Sequence, residues 1–339
     1  MLEEINMKSV CKYLLAAITA IVFSVGSVQA QEMTFFRIGT GGAGGTYFPI
    51  GGIIASAISN PPGARACEKG GQCGVPGLVA IAVSTTASVY NCNAIQNGDL
   101  EAGLTGGMTL YEAYNGFGKF QGKAMDKLRV IANLYPEDLH LVLQKGSSIS
   151  SIDDLRGKRV GIAQNGSGTQ LAVLAILKKF GMTKDDIKPA ALNNSQSADR
   201  LADGQLDAYF YAAGTPLSAL IQLGSTKGFA LHRFSEKEIN DVLEVVPTYV
   251  QSLIPAGEYE TITYDVPTVA VNGFLVTSAD QAEDFIYEIT KALWNKNSRR
   301  LLDNGHSKGK AIRLENALKG VKIPLHPGAE RFYKEQGLI

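Results

Sequence analysis

The chain has no excess charge of either sign: Lys plus Arg and Asp plus Glu number 32 each. That balance leaves no global field to draw it to nucleic acid or to an anionic membrane. Histidine is scarce, and His140, His232, His306 and His326 are scattered without metal-ligand spacing. No CxxC pair occurs, and Gly166-Ser167-Gly168 lacks the Gly-x-Ser-x-Gly pattern of a hydrolase nucleophile. The acid pairs Asp153-Asp154 and Asp185-Asp186 fall at expected helix starts, where the helix dipole favours them. No catalytic set assembles, so the expectation is a binding protein, not an enzyme, with no cofactor and no metal.

Long apolar runs are also lacking. The run from Leu14 to Val25 is 12 residues, short of the roughly 20 that span a bilayer. Lys8 and Lys12 precede it and Val28-Gln29-Ala30 follows, the order of a secretory signal peptide. Residues 1–30 are therefore expected to direct export to the periplasm and to be removed there; a retained anchor is the rival reading. Glu3 and Glu4 are out of place in such a segment, and a start at Met7 would remove both. Of the four cysteines, Cys67, Cys73 and Cys92 would remain. In an oxidising compartment Cys67 and Cys73 are expected to bridge the Gly-rich loop between them. A metal site is the alternative for that pair, although no histidine is near in sequence. Cys92 reads as a buried free thiol.

What is present is a pattern stated twice. Thr34–Ile38 reads as a strand, followed by the turn Gly39-Thr40-Gly41-Gly42-Ala43-Gly44-Gly45, Thr46, and a helix over Tyr47–Ile58. Arg159–Ala163 reads as a second strand, followed by Gln164-Asn165-Gly166-Ser167-Gly168, Thr169, and a helix to Phe180 that Gly181 stops. Pro49 falls in the first turn of the earlier helix, where its missing N–H costs nothing. Asn97-Gly98-Asp99-Leu100-Glu101-Ala102 likewise resembles Asp203-Gly204-Gln205-Leu206-Asp207-Ala208. The extra length of the first copy falls around Asn60–Gly77, where the cysteine pair lies. Beyond roughly 250–300 residues a single core stops growing, so two similar α/β lobes are expected.

Two such lobes leave a cleft onto which both Gly-rich turns open. The helices they lead into present free N–H groups and a positive dipole end, which favour an anion. Gly39-x-Gly41-x-x-Gly44 also satisfies a dinucleotide-binding pattern, but the required acid about 20 positions on is absent: Asn60-Pro61-Pro62-Gly63 is loop. Tyr209-Phe210-Tyr211 reads as core strand, with alternation able to turn one ring to the cleft.

Several landmarks then occur in order: Ile38-Gly39-Thr40-Gly41-Gly42 with Gly44-Gly45-Thr46-Tyr47, Tyr111-Glu112-Ala113-Tyr114-Asn115-Gly116, Leu134-Tyr135-Pro136-Glu137, Gly166-Ser167-Gly168-Thr169, Asp265-Val266-Pro267-Thr268-Val269, and Pro324-Leu325-His326-Pro327. On these the chain resembles the TAXI family of solute receptors for TRAP (tripartite ATP-independent periplasmic) transporters, over nearly the whole mature length. The resemblance implies an α/β, type II periplasmic-binding-protein fold acting as a monomer. Residues 31–140 and 267–339 would form one lobe and 141–266 the other, with hinge strands near Leu139–Gln144 and Val269–Thr277. It implies capture of a small organic solute, carboxylate-bearing, such as a dicarboxylate or a glutamate-like amino acid, for delivery to TRAP permease subunits. Presentation of the ligand to a sensor kinase is the alternative. The implied ligand contacts are Thr40, Gly41, Gly42, Tyr47 and Ser88 on one rim, and Ser167, Thr169, Gly214 and Thr215 on the other. Thr86 and Ala87 stand where the family carries glycines. Gly106-Gly107-Met108 stands where many relatives read Gln-Ser-Asp, which implies a different, less amine-bearing ligand.

Overall fold

The computed structural model describes residues 33–339, and the expected export segment lies outside the described residues. The strands are β1 (Thr34–Gly39), β2 (Ser59–Asn60), β3 (Val75–Pro76), β4 (Leu78–Val83), β5 (Ala102–Gly106), β6 (Leu128–Gln144), β7 (Arg159–Gly161), β8 (Lys188–Ala190), β9 (Ala208–Ala213), β10 (Phe229–Leu231), β11 (Val250–Ile254) and β12 (Val266–Ser278). The α-helices are α1 (Tyr47–Ile58), α2 (Ser88–Asn97), α3 (Gly107–Asn115), α4 (Gly168–Lys179), α5 (Asn194–Ala202), α6 (Ser218–Thr226), α7 (Glu236–Val245), α8 (Glu283–Leu293), α9 (Lys296–Gly305) and α10 (Pro327–Glu335).

Ten strands form one sheet in the order β4-β1-β5-β12-β6-β9-β7-β8, with β10 on β6 and β11 on β12. Its two ends have the same build. At one end β1 lies parallel between β4 and β5, and β5 pairs antiparallel with β12. At the other, β7 lies parallel between β8 and β9, and β9 pairs antiparallel with β6. The repeat extends to side chains. Arg37 on β1 donates Nε and Nη2 to Glu101 at 2.9 and 2.6 Å, and its backbone N–H donates to the same carboxylate at 2.7 Å. Arg159 on β7 repeats all three bonds with Asp207, at 3.1, 2.5 and 2.7 Å. These pairs are partly exposed and contribute about 1 kcal/mol or less. Their value is register: each ties a central strand to the approach of its neighbour.

Alternation in β1 buries Phe36 and Ile38. In α1 the buried positions Tyr47, Ile50, Ile54 and Ile58 recur at helical spacing and seat it on the sheet. The buried apolar clusters divide the chain. Two draw on Phe36–Tyr135 and on Phe274–Tyr333, and two draw on Leu139–Val271, joined by Met108. The chain thus passes between cores twice, once in β6 between Tyr135 and Leu139 and once in β12 between Val271 and Phe274. β6 starts at Leu128, well before the expected hinge segment at Leu139, and β12 starts at Val266, just ahead of Val269. Their pairing shifts register at Gly273/Phe274 and again at Leu275/Val276. A disulfide joins Cys67 to Cys73 in the insert of the first half, and Cys92 is a buried free thiol. Among the described residues no helix is long and apolar enough to cross a membrane.

Candidate functional site

A cavity of about 40 Å³ lies between the two cores, space for a few water-sized occupants at about 10–15 Å³ each. Four helices begin on it. Gly45, Thr46 and Tyr47 belong to the start of α1, Ala87 and Ser88 to α2, Gly106, Met108 and Thr109 to α3, and Ser167, Gly168 and Thr169 to α4. No side chain caps the first amides of α1, α2 or α3. Ser167 caps α4, accepting from Gln170 N–H at 3.2 Å. The starts of α1 and α3 carry free N–H donors and a partial positive charge, while at α2 the Val89 and Tyr90 amides are taken by the Gly166 carbonyl. The wall favours an anion without any cationic side chain. Gly41 and Gly42 from the turn after β1, Glu137 and Val271 from the crossing strands, Tyr211, Ala212 and Ala213 from β9, and Tyr249 complete the lining.

The two halves are bonded to each other around the cavity. Thr46 Oγ1 donates to the Gly214 carbonyl at 2.6 Å, and Asn194 Nδ2 donates to the Gly44 carbonyl at 2.8 Å. On the other side the amides of Val89 and Tyr90 donate to the Gly166 carbonyl at 3.1 and 3.2 Å. A Cβ on Gly168 would stand 2.7 Å from Thr109 Oγ1 and 3.0 Å from Ser88 Oγ, so glycine is what lets the start of α4 approach α2 and α3. The lobes are closed on each other.

Of the expected ligand contacts, Gly41, Gly42, Tyr47, Ser88, Ser167 and Thr169 come together on the cavity. Thr40 lies behind it, fully buried, with its hydroxyl donated to the Val83 carbonyl at 2.7 Å. Its carbonyl accepts from Asn91 Nδ2 at 2.8 Å; it shapes the turn. Gly214 and Thr215 are also off the lining. Thr215 Oγ1 donates to Asp138 Oδ2 at 2.6 Å, and Ser252 Oγ donates to Asp138 Oδ1 at 2.7 Å. Lys308 Nζ stands 3.7 Å from the same carboxylate. This buried polar cluster sits where β6 passes between the cores.

Sequence reasoning overlooked Glu137 as a site residue. The signal available was an acid inside a long apolar strand. Glu137 is 4% exposed, and neither its Oε1 nor the neighbouring Tyr47 hydroxyl has a hydrogen-bond partner within the protein. Burial pushes its carboxyl up to about 8; Tyr47 opposes the rise and Asp138 adds to it. The histidines have local structural partners. His140 Nε2 lies 2.9 Å from the Tyr259 hydroxyl, His232 pairs with Glu238, and His326 caps α10. His306 Nδ1 accepts from Lys308 N–H. Asp154 and Asp186 close capping boxes with Ser151 and Thr183. Among the described residues no group of His, Cys, Asp and Glu is placed to hold a metal.

This architecture, two α/β lobes closed on a cavity and joined by crossing strands, is that of the periplasmic binding proteins. The chain belongs to the NMT1-like family, whose model matches residues 38–337. Among solved structures it is similar to PhnD1 from Prochlorococcus marinus in complex with methylphosphonate, at 12% identity and TM-score 0.50, covering 90% of this chain and 99% of that one. It is similar also to the alkanesulfonate-binding protein SsuA from Xanthomonas axonopodis pv. citri bound to MOPS, at 17% identity and TM-score 0.43, covering 90% and 85%. A third is the amino acid ABC transporter substrate-binding protein AbpA from Streptococcus pneumoniae bound to L-arginine, at 15% identity and TM-score 0.43, covering 82% and 95%.

Proposed function

We propose that the chain is an extracytoplasmic solute-binding protein that captures a small carboxylate-bearing solute by lobe closure and delivers it to a membrane transporter. The observation that carries this reading is the convergence of four helix N-termini, from both lobes, on one buried cavity. The acid's charge would be met by backbone N–H groups of α1 and α3 on one side and α4 on the other, so binding draws the lobes together. Gly41, Gly42, Tyr47, Ser88, Ser167 and Thr169 are the contacts, and the lobes move about the crossings in β6 and β12, a few residues from the boundaries at 140 and 267 expected from the sequence. The function is binding, not catalysis, in keeping with the family to which the chain belongs.

The sequence landmarks shared with the TAXI receptors support TRAP permease subunits as the membrane partner, with residues 1–30 directing export to the periplasm. The test is a thermal-shift screen of residues 31–339 against mono- and dicarboxylates, amino acids and sugars. A ligand at a thousandfold its Kd adds about 4 kcal/mol of stability. A large shift confined to acids is the expected result, and a shift with sugars alone would overturn the anion reading. Ion-gradient-driven uptake of that acid by reconstituted permease, dependent on this protein, would identify the partner.

A further inference from the structure

Among the described residues lining the cavity, Glu137 is the one acid, and no Lys, Arg or His accompanies it. Room for it is made by Gly273, where a Cβ would collide with Glu137 Oε1. The titratable groups that face it are Tyr47 from α1, Tyr135 and Asp138 from β6, Tyr211 from β9, and Tyr249 just before β11. The cavity-lining residues of β12, α3 and α4 bring no charge. Burial raises all four tyrosine hydroxyls above their usual value, so they stay neutral wherever Glu137 titrates. Asp138 is engaged on the hinge side by Thr215, Ser252 and Lys308.

A buried carboxylate without a cation is costly, and an anion seated on the helix starts would add a second negative charge in the same small space. The two fit together once Glu137 carries a proton. We propose that Glu137 determines the specificity of the cleft: as a neutral carboxylic acid it donates a hydrogen bond to the bound anion, so that the protein selects acids over their amine-bearing analogues and holds anion and proton together. This rests on the reading of the cleft as an anion site. An ammonium group would instead need Glu137 ionised as its acceptor. No covalent bond changes. At neutral pH the proton is already on Glu137, and above its titration range one proton is drawn from solvent with each anion bound.

The experiment is calorimetric titration of the mature protein from about pH 6 to about pH 10, in buffers of different ionisation enthalpy. Pyruvate, succinate and 2-oxoglutarate are each matched with L-alanine, L-aspartate and L-glutamate. The expected result is an acid that binds better than its amine-bearing partner, with a Kd that is flat at neutral pH. Above pH 8 that Kd rises about tenfold per pH unit, with proton uptake approaching one per ligand. In E137Q the rise with pH disappears. The proton count is read on the wild-type protein and does not depend on the folding of E137Q. Acid binding with no proton uptake and a flat profile would overturn the role of Glu137 and leave the anion site standing. So would an amine-bearing partner that binds more tightly and tightens through pH 8. Binding of none of the six at any pH would remove the acid reading itself, and this inference with it.

Discussion

Asn194, the first residue of α5, donates its side-chain amide to the Gly44 carbonyl in the turn after β1, at 2.8 Å and across the cleft. The two residues belong to different lobes, so this bond exists only while the lobes are together. Gly44 is fixed by the same contact: a Cβ there would collide with Ser195 Oγ.

Asn194→Ala should therefore act on closure and not on folding. Loss of one hydrogen bond of this kind costs about 1 kcal/mol, which is roughly fivefold in affinity. The loss is expected in the dissociation rate, because the bond holds the closed form and not the encounter. Stopped-flow release of the bound acid reads it directly. An unchanged release rate would mean that the Val89/Tyr90 contact with Gly166 and the Thr46 contact with Gly214 hold the cleft without Asn194.

Ala87 precedes α2 with φ 77° and ψ −146°, a region that side chains with a Cβ rarely enter and that costs about 1–3 kcal/mol. The neighbouring structure compels it: Ala87 N–H bonds to Thr85 Oγ1 at 3.0 Å, and the amides of Val89 and Tyr90 reach the Gly166 carbonyl. Ala87→Gly removes that strain, against about 0.5–1 kcal/mol of extra chain entropy lost on folding. Urea denaturation should show a net gain of about 1 kcal/mol. A loss would mean that the Ala87 methyl, which lines the cavity, contributes more packing than its backbone costs.

The repeat and the turns were legible in the sequence because their signals are local. Gly-rich turns, Pro49 near a helix start and Gly181 after a helix end each act within a few residues. The extent of β6 was not legible, because Pro136, Glu137 and Asp138 interrupt an apolar run and read as a break. The strand tolerates them because Pro136, lacking an N–H, sits opposite Asn272 beside a register shift, and because Glu137 faces a glycine. Which side of a turn a hydroxyl faces is likewise set by tertiary packing. Thr40 opens the first Gly-rich turn and Thr169 follows the second, and Thr40 bonds back to Val83 while Thr169 lines the cavity and accepts from Ala212 N–H at 3.2 Å. Thr215 is held away from the cavity by Asp138, a partner 77 residues distant in sequence, and the Gly214 carbonyl is taken by Thr46.

The titration of Glu137 also fixes a dependence of stability on pH. Its carboxyl is raised from the ordinary 4.5 to about 8 in the folded chain, chiefly by burial. Between those values the folded protein keeps a proton that the unfolded chain has released, so rising pH favours unfolding. The contribution is fully present below about pH 4.5, falls by about 1.4 kcal/mol per pH unit through the window, and is constant above about pH 8. Glu137→Gln keeps the shape and a donor but removes the proton exchange. Its stability relative to the wild type should therefore climb across the window and then level off. Every other titrating group is common to both proteins and cancels in the difference. Urea midpoints for the pair, measured from about pH 4.5 to about pH 9, check this. A constant difference would mean that Glu137 is ionised in the folded protein and that a cation or a donor set compensates it. The hydrogen bond it is proposed to give to the bound anion would then have no proton to donate.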